Sequence, residues 1–172
     1  MGMDVYGKKP KSDKGEYFRR NVWGWRPLWD YVCHTHPEIA NLVEYGHSND
    51  GDGLNATKSK ELAKLLFADL ESGLAQEYVR IRNEELAKLP FEECEYCEGT
   101  GIRTDEVGKN AGFPDKELEP DVQIIVGREK GFCNACHAMG KREHFATNYY
   151  LDADDIRDFA EFLQDCGGFE IW

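Results

Sequence analysis

Nowhere in the 172 residues does an apolar run approach the roughly 20 residues that a helix needs to cross a bilayer. Residues 1–24 also lack the apolar core of a secretory signal. The expectation is therefore a cytoplasmic chain with no membrane partner. The P-loop, G-x-S-x-G, H-E-x-x-H and glycine-rich dinucleotide patterns are all missing, so the commonest nucleotide-dependent, acyl-transfer and metallopeptidase chemistries have no anchor. Positive charge is scarce: 21 Lys and Arg face 33 Asp and Glu, a formal charge of −12. That excess repels nucleic acid from the surface as a whole and disfavours it as a partner, restricting phosphate contact to a local patch. Apolar and aromatic contents of 41% and 12% still support a folded core, at a length suited to one domain with a small extra lobe.

Among the six cysteines, four form two dithiol pairs, Cys94-Glu95-Tyr96-Cys97 and Cys133-Asn134-Ala135-Cys136. A two-residue gap lets both sulfurs of a pair reach one ion from a tight turn, and a second pair completes a tetrahedral shell. Four thiolates leave no open position, so the expected cofactor is one structural Zn²⁺ with no catalytic part. Three other readings compete. Cys133 to His137 is a C-x-x-C-H string of covalent haem attachment, but that chemistry needs export. A redox C-x-x-C normally opens a helix after a strand, whereas Glu98 and Gly99 follow Cys97. Structural disulfides would need an oxidising compartment. Cys33 and Cys166 lie in apolar stretches and read as buried free thiols.

Small residues follow each pair. Cys94 to Gly101 reads C-E-Y-C-E-G-T-G, which resembles the C-x-x-C-x-G-x-G zinc repeat of DnaJ-type chaperones. Cys133 to Gly140 reads C-N-A-C-H-A-M-G, similar but with Ala138 at a glycine position. In that family four repeats make two zinc sites, so two repeats here imply one site. No J-domain and no H-P-D tripeptide accompany them, and the cochaperone role does not carry over. A metal knuckle requires the backbone to turn sharply so that amides point at sulfur, and Gly99, Gly101 and Gly140 permit the positive φ this needs. Over most of the chain, the segments G-M-D-V-Y-G, G-E-Y-F-R-R-N-V-W-G-W-R-P-L-W, S-N-D-G-D-G-L-N and C-G-G-F-E-I-W resemble a family of small phage and bacterial proteins. That resemblance implies a phage or accessory setting and no particular activity.

Charge is unevenly spread: residues 1–31 carry seven Lys/Arg against four acids, leaving −15 for the remainder. The same stretch holds Trp23, Trp25 and Trp29 interleaved with Arg19, Arg20 and Arg26. Rings that stack on a planar group beside guanidinium forks that take phosphate or carboxylate suit recognition of a protein or small ligand. The competing reading is a tryptophan-rich core covered by arginine stems. The turn at 47–53 contributes Asn49, Asp50 and Asp52 as candidate ligand contacts. Asp50, Asp52 and Gly53 fit three positions of a calcium loop, but Ser48 and Ser59 stand where its first ligand and its bidentate glutamate belong, so a tight turn is favoured. His34, His36 and His47 with Asp50 are candidates for a second, catalytic metal.

Periodicity gives an α+β fold: a small mixed sheet, several helices and an inserted zinc-ribbon-like lobe built on the four paired cysteines. Residues 4–7 read as a strand and 8–15 as a charged loop. Arg26-Pro27 opens a helix to about Cys33, with proline at its first position. A short helix spans 38–45. From Lys58 a stripe of Leu62, Leu65, Leu66 and Leu70 faces inward with Lys60, Lys64 and Asp69 outside. After Gly73 a helix over 74–89 turns Leu74, Tyr78 and Ile81 inward. Residues 122–126 give the strongest strand signal and 143–150 another. Asp152 caps a helix to Asp165 with Ile156, Phe159, Ala160 and Leu163 inside and a solvated face of Asp158, Glu161 and Asp165, and 169–172 close the sheet. The division is an α-rich part at 1–90, a zinc lobe at 91–141 stapling a 35-residue excursion, and a strand–helix–strand at 142–172. The expected function is a non-enzymatic zinc-stabilised binding protein; the alternatives are a nucleotide- or nucleic-acid-binding module and a metalloenzyme with a His/Asp site.

Overall fold

The computed structural model describes residues 2–172 as thirteen regular elements. They are β1 (Gly2–Gly7), α1 (Asp13–Glu16), β2 (Tyr17–Asn21), α2 (Val22–Thr35), α3 (Pro37–Ala40), α4 (Ala56–Ser72), α5 (Leu74–Ala87), β3 (Glu92–Glu93), α6 (Glu106–Asn110), α7 (Pro120–Val126), β4 (Lys141–Arg142), α8 (Ala153–Asp165) and β5 (Phe169–Ile171). The chain up to Ala87 and Asn148–Trp172 form one unit, and Lys88–Thr147 a second. The class is α+β as expected, but both sheets are antiparallel rather than mixed.

In the first unit the sheet runs β2-β1-β5. Period-2 alternation sends Met3 and Val5 of β1, Phe18 of β2, and Phe169 and Ile171 of β5 into the core. Asn21 caps α2, its Oδ1 accepting from the Gly24 amide at 2.9 Å. Helical spacing then buries Trp25, Leu28, Trp29 and Val32 on one face. The helix therefore starts four residues before the sequence expectation, because Asn21 supplies a cap, and Pro27 sits inside the helix, where it removes one amide bond. Asp152 and Asp155 form a reciprocal capping box for α8, as the sequence pattern requires. Its Ile156, Phe159, Ala160 and Leu163 are all fully buried, packed with Leu62 and Leu66 of α4. The face expected to be merely solvated is instead tied to the first hairpin. Asp158 receives Arg20 Nη2 at 2.8 Å, Asp165 accepts from Ser12 at 2.6 Å, and Glu161 pairs with Lys14.

One buried polar group escaped the helical reading. Asp69, assigned to the outer face of α4, is 9% exposed and accepts from the Tyr31 hydroxyl at 2.7 Å. His36 Nε2 meets the same Oδ2 at 2.7 Å. Burial, then the Asp69 contact, push the Tyr31 hydroxyl well above the ordinary phenol range, so it stays a donor. Asp69→Ala strands both partners and is expected to lower stability by about 2–3 kcal/mol in urea unfolding. Unchanged stability would show that neither partner depends on it.

Other expectations are corrected. Residues 122–126 belong to α7, opened by Pro120 and closed by Gly127 at φ 70; the second unit's strands are only two residues long, too short an edge for a five-residue strand. Ile124 and Ile125 stand 83% and 68% exposed there. At 143–150 the strand is replaced by a 3₁₀ turn at 145–148, as Thr147 folds its amide and hydroxyl back onto the His144 carbonyl. Residues 17–21, unassigned in the sequence reading, pair as β2. The helix expected at 38–45 is confined to Pro37–Ala40. On α5 it is Ala75 that is buried, with Leu74 and Ile81 exposed. Cys166 is buried as expected, but Cys33 lies exposed on the outer side of α2.

Candidate metal centre

The two C-x-x-C segments fold into matching knuckles. In the first, Glu98, Gly99 and Gly101 take φ of 49°, 75° and 74°; in the second, His137, Ala138 and Gly140 take 49°, 69° and 73°. This repeats one backbone path 39 residues apart, with Ala138 held in the left-handed region at a cost of about 1–2 kcal/mol that glycine would not incur. The path aims one amide of each knuckle at sulfur. Gly101 N–H donates to Cys97 Sγ and Gly140 N–H to Cys136 Sγ, both at 3.2 Å. The knuckles also interlock reciprocally. A Cβ on Gly101 would lie 2.1 Å from the Ala138 carbonyl oxygen, and one on Gly140 2.1 Å from that of Gly99.

Together the knuckles bring Cys94, Cys97, Cys133 and Cys136 to one point, with all four sulfurs within 4.8 Å of one another and all four residues buried. Cys94 Sγ lies 3.9 Å from Cys133 Sγ, and Cys97 Sγ 3.7 Å from Cys136 Sγ. A tetrahedron with metal–sulfur bonds of about 2.3 Å has edges of about 3.8 Å, so the sulfurs fit a tetrahedral ion. A disulfide, by contrast, needs about 2.05 Å, and all six cysteines are free. Burial pushes the Cys136 thiol up to about 12 and raises Cys97 as well. Against the same push, the Tyr96 amide and neighbouring sulfurs hold Cys94 below the usual thiol range. Four ionised sulfurs in this setting need a cation, and a divalent ion supplies it. The guanidiniums of Arg103 and Arg142 lie over the Tyr96 ring at 5.0 and 5.3 Å, adding positive charge close to the knuckles.

Gly101→Ala is expected to weaken metal retention about 10–100-fold, since it disturbs the amide–sulfur bond and the interlock together. Competition with a chromophoric chelator measures this; retention equal to the parent would show that the interlock is dispensable.

The remaining sequence candidates scatter. Trp25 and Trp29 are core residues at 0% and 1% exposure, stacked 5.8 Å apart, with Trp25 Nε1 donating to the Gly46 carbonyl at 2.8 Å. They are withdrawn as ligand contacts, because their ring faces are occupied by each other and by Phe159. Arg20 is held by Asp155 and Asp158, both at 2.8 Å. Arg19 is exposed beside Asp4 at 3.3 Å, and Arg26 is exposed with its guanidinium 6.0 Å over the Tyr149 ring. Trp23, half-buried, meets the same ring edge-on at 4.9 Å. Asn49, Asp50 and Asp52 close a turn: Asn49 donates to the Gly2 carbonyl at 3.1 Å, Asp52 accepts from the Tyr45 amide at 2.9 Å, and Ser48 bonds Asp50. The alternative histidine site is not assembled among the described residues. His36 is committed to Asp69, His47 lies 3.2 Å from Asp30, and His34 packs on Tyr78. Among the described residues the four-cysteine group is the one cluster of three or more ligating side chains within reach of a single ion.

Fold and site together define an α+β protein with a four-cysteine site able to hold a metal ion. No family model, curated protein or solved structure matches the chain. Among the described residues, no helix is long and apolar enough to cross a membrane. Sequence reasoning missed the reciprocal glycine interlock, whose signal was the equal 39-residue offset of both cysteines and glycines.

Proposed function

We propose that the chain is a non-enzymatic binding protein whose second unit is held together by one structural Zn²⁺ on Cys94, Cys97, Cys133 and Cys136. The observation that carries this is the set of four buried sulfurs at tetrahedral spacing with amides aimed at two of them. Four thiolates complete the shell of Zn²⁺ and leave no place for a substrate. When bound, the ion supplies a fixed cross-link. The chain's own part is to aim the Gly101 and Gly140 amides at Cys97 and Cys136, which offsets part of the burial that raises both thiols. The DnaJ-type likeness of the knuckles agrees with a structural ion, and a phage setting remains compatible with the small size.

Recognition then falls to the surface of the first unit. Of the arginine and tryptophan candidates, Arg19, Trp23 and Arg26 reach solvent, and Tyr6 and Tyr17 stand exposed nearby on β1 and β2. Exposed rings with guanidiniums suit a protein or small ligand bearing carboxylates and planar groups.

Native mass spectrometry tests the metal: the folded chain should carry the mass of one zinc ion, removed on acidification. An iron adduct, or a folded chain with no metal, would contradict the assignment. Arg19→Glu with Arg26→Glu should abolish any partner that the parent retains reproducibly, while the melting temperature holds. Equal retention would remove that surface from the account.

A further inference from the structure

We infer that the first unit carries a binding cleft for a compact multivalent anion of the oligophosphate class, walled by Lys9, Lys11, Lys60 and Lys64. The cleft encloses about 540 Å³ and opens between the β1–α1 connection and the first turns of α4. Lys11, Lys60 and Lys64 also line an adjoining hollow of about 320 Å³ with Phe67 at its apolar side. These volumes fall in the range of small-molecule sites.

Four exposed lysines line this cleft in a chain of net charge −12. The lysines that form ion pairs among the described residues are Lys8, Lys14 and Lys58, so none of the four in the cleft is paired. Lys11 crowds Lys60, and that contact holds the Lys60 ammonium below the usual lysine range. Two acids share the walls: Glu61 is paired with Lys58 at 2.6 Å, and Asp165, which accepts from the Ser12 hydroxyl at 2.6 Å, also attracts Lys60. With Lys58 counted, five lysines against these two acids leave the cleft a net of +3, which favours an anion.

The backbone holding them is fixed. The amides of Lys9 and Lys11 donate to the Cys166 and Asp165 carbonyls at 3.1 and 2.9 Å. Gly167, at φ 65, lets the Lys9 carbonyl approach so closely that a Cβ would lie 2.1 Å from it. On the opposite wall, Ala56 and Thr57 open a 17-residue helix whose dipole adds positive potential.

Ligand class follows from charge and size. Lysines meet phosphate oxygens as point charges, and four of them exceed what one phosphate group would balance. A long nucleic acid would extend past the cleft along a chain of net charge −12, which favours a short, dense anion. The inference does not rest on the zinc lobe or on the Arg19–Arg26 surface, so its failure leaves the proposed function standing.

Equilibrium dialysis of the zinc-loaded chain against tripolyphosphate and ATP tests it, with protein-bound zinc measured alongside so that chelation is not counted as binding. The parent should bind both, and adenosine should not bind. Lys11→Gln with Lys60→Gln should weaken binding by about tenfold or more, through loss of two charge-assisted contacts. Lys9→Gln with Lys64→Gln provides a second pair should the first misfold, and Lys14→Gln, outside the cleft, should bind as the parent does. No binding by the parent at millimolar ligand, undiminished binding by a folded double variant, or equal binding of adenosine would overturn the assignment.

Discussion

Cys97→Ser is expected to unfold residues 88–147 while the first unit stays folded. The reason lies in what the second unit buries. Apart from its four cysteines, the buried apolar side chains between Lys88 and Thr147 are Leu118 and Ala138. The cysteine cluster draws only Ala135 as a partly buried apolar neighbour. Two or three small contacts cannot offset the conformational entropy of a 60-residue segment, so the ion takes the place of a hydrophobic core. Structural zinc contributes about 10–16 kcal/mol in small metal-dependent folds, and removing one of four thiolates forfeits much of it. Trypsin should therefore cut the variant first within 88–147, at sites protected in the parent, and treatment of the parent with a strong chelator should reproduce the pattern. Equal protection of parent and variant would show that the lobe folds without its ion.

Trp25→Ala should destabilise the first unit by about 3–5 kcal/mol, the range for deleting a fully buried aromatic side chain. Trp25 is completely enclosed, stacked on Trp29 with Phe159 edge-on at 5.5 Å, and its ring nitrogen satisfies the Gly46 carbonyl. Truncation opens a cavity and strands that carbonyl at once. The thermal midpoint should fall by roughly 10–20 °C. Trp23→Ala, on the half-buried side of α2, should cost less than about 1 kcal/mol. A Trp25→Ala chain that melts with the parent would return this tryptophan to the list of recognition residues.

Local chemistry made some of this architecture legible in the sequence. The C-x-x-C pairs, the glycines after them, the Asp152 cap and the Ile156–Leu163 stripe each act within a turn or two of chain, and the structure keeps all of them. What failed was decided elsewhere. The β-branched run at 122–126 needs a neighbouring strand, and without one the Pro120 and Gly127 signals make it helical. Asp69 looks like an outer-face residue by periodicity and is drawn inward only because α2 and the following turn bring Tyr31 and His36 against it. The alternation of tryptophan and arginine in 19–29 allowed both a recognition surface and a tryptophan-rich core. Helical geometry sorts it, turning Trp25 and Trp29 in and Arg26 out. The lysine cleft was invisible for the same reason, since Lys9 and Lys11 meet Lys60 and Lys64 only after the chain's end pins the β1–α1 loop.

Zinc-edge X-ray absorption on the purified, folded chain tests the central claim most directly. Four sulfur neighbours at about 2.3 Å and no nitrogen or oxygen in the shell is the result this account requires. A shell containing nitrogen or oxygen, or thiols found joined to one another instead of to metal, would contradict it.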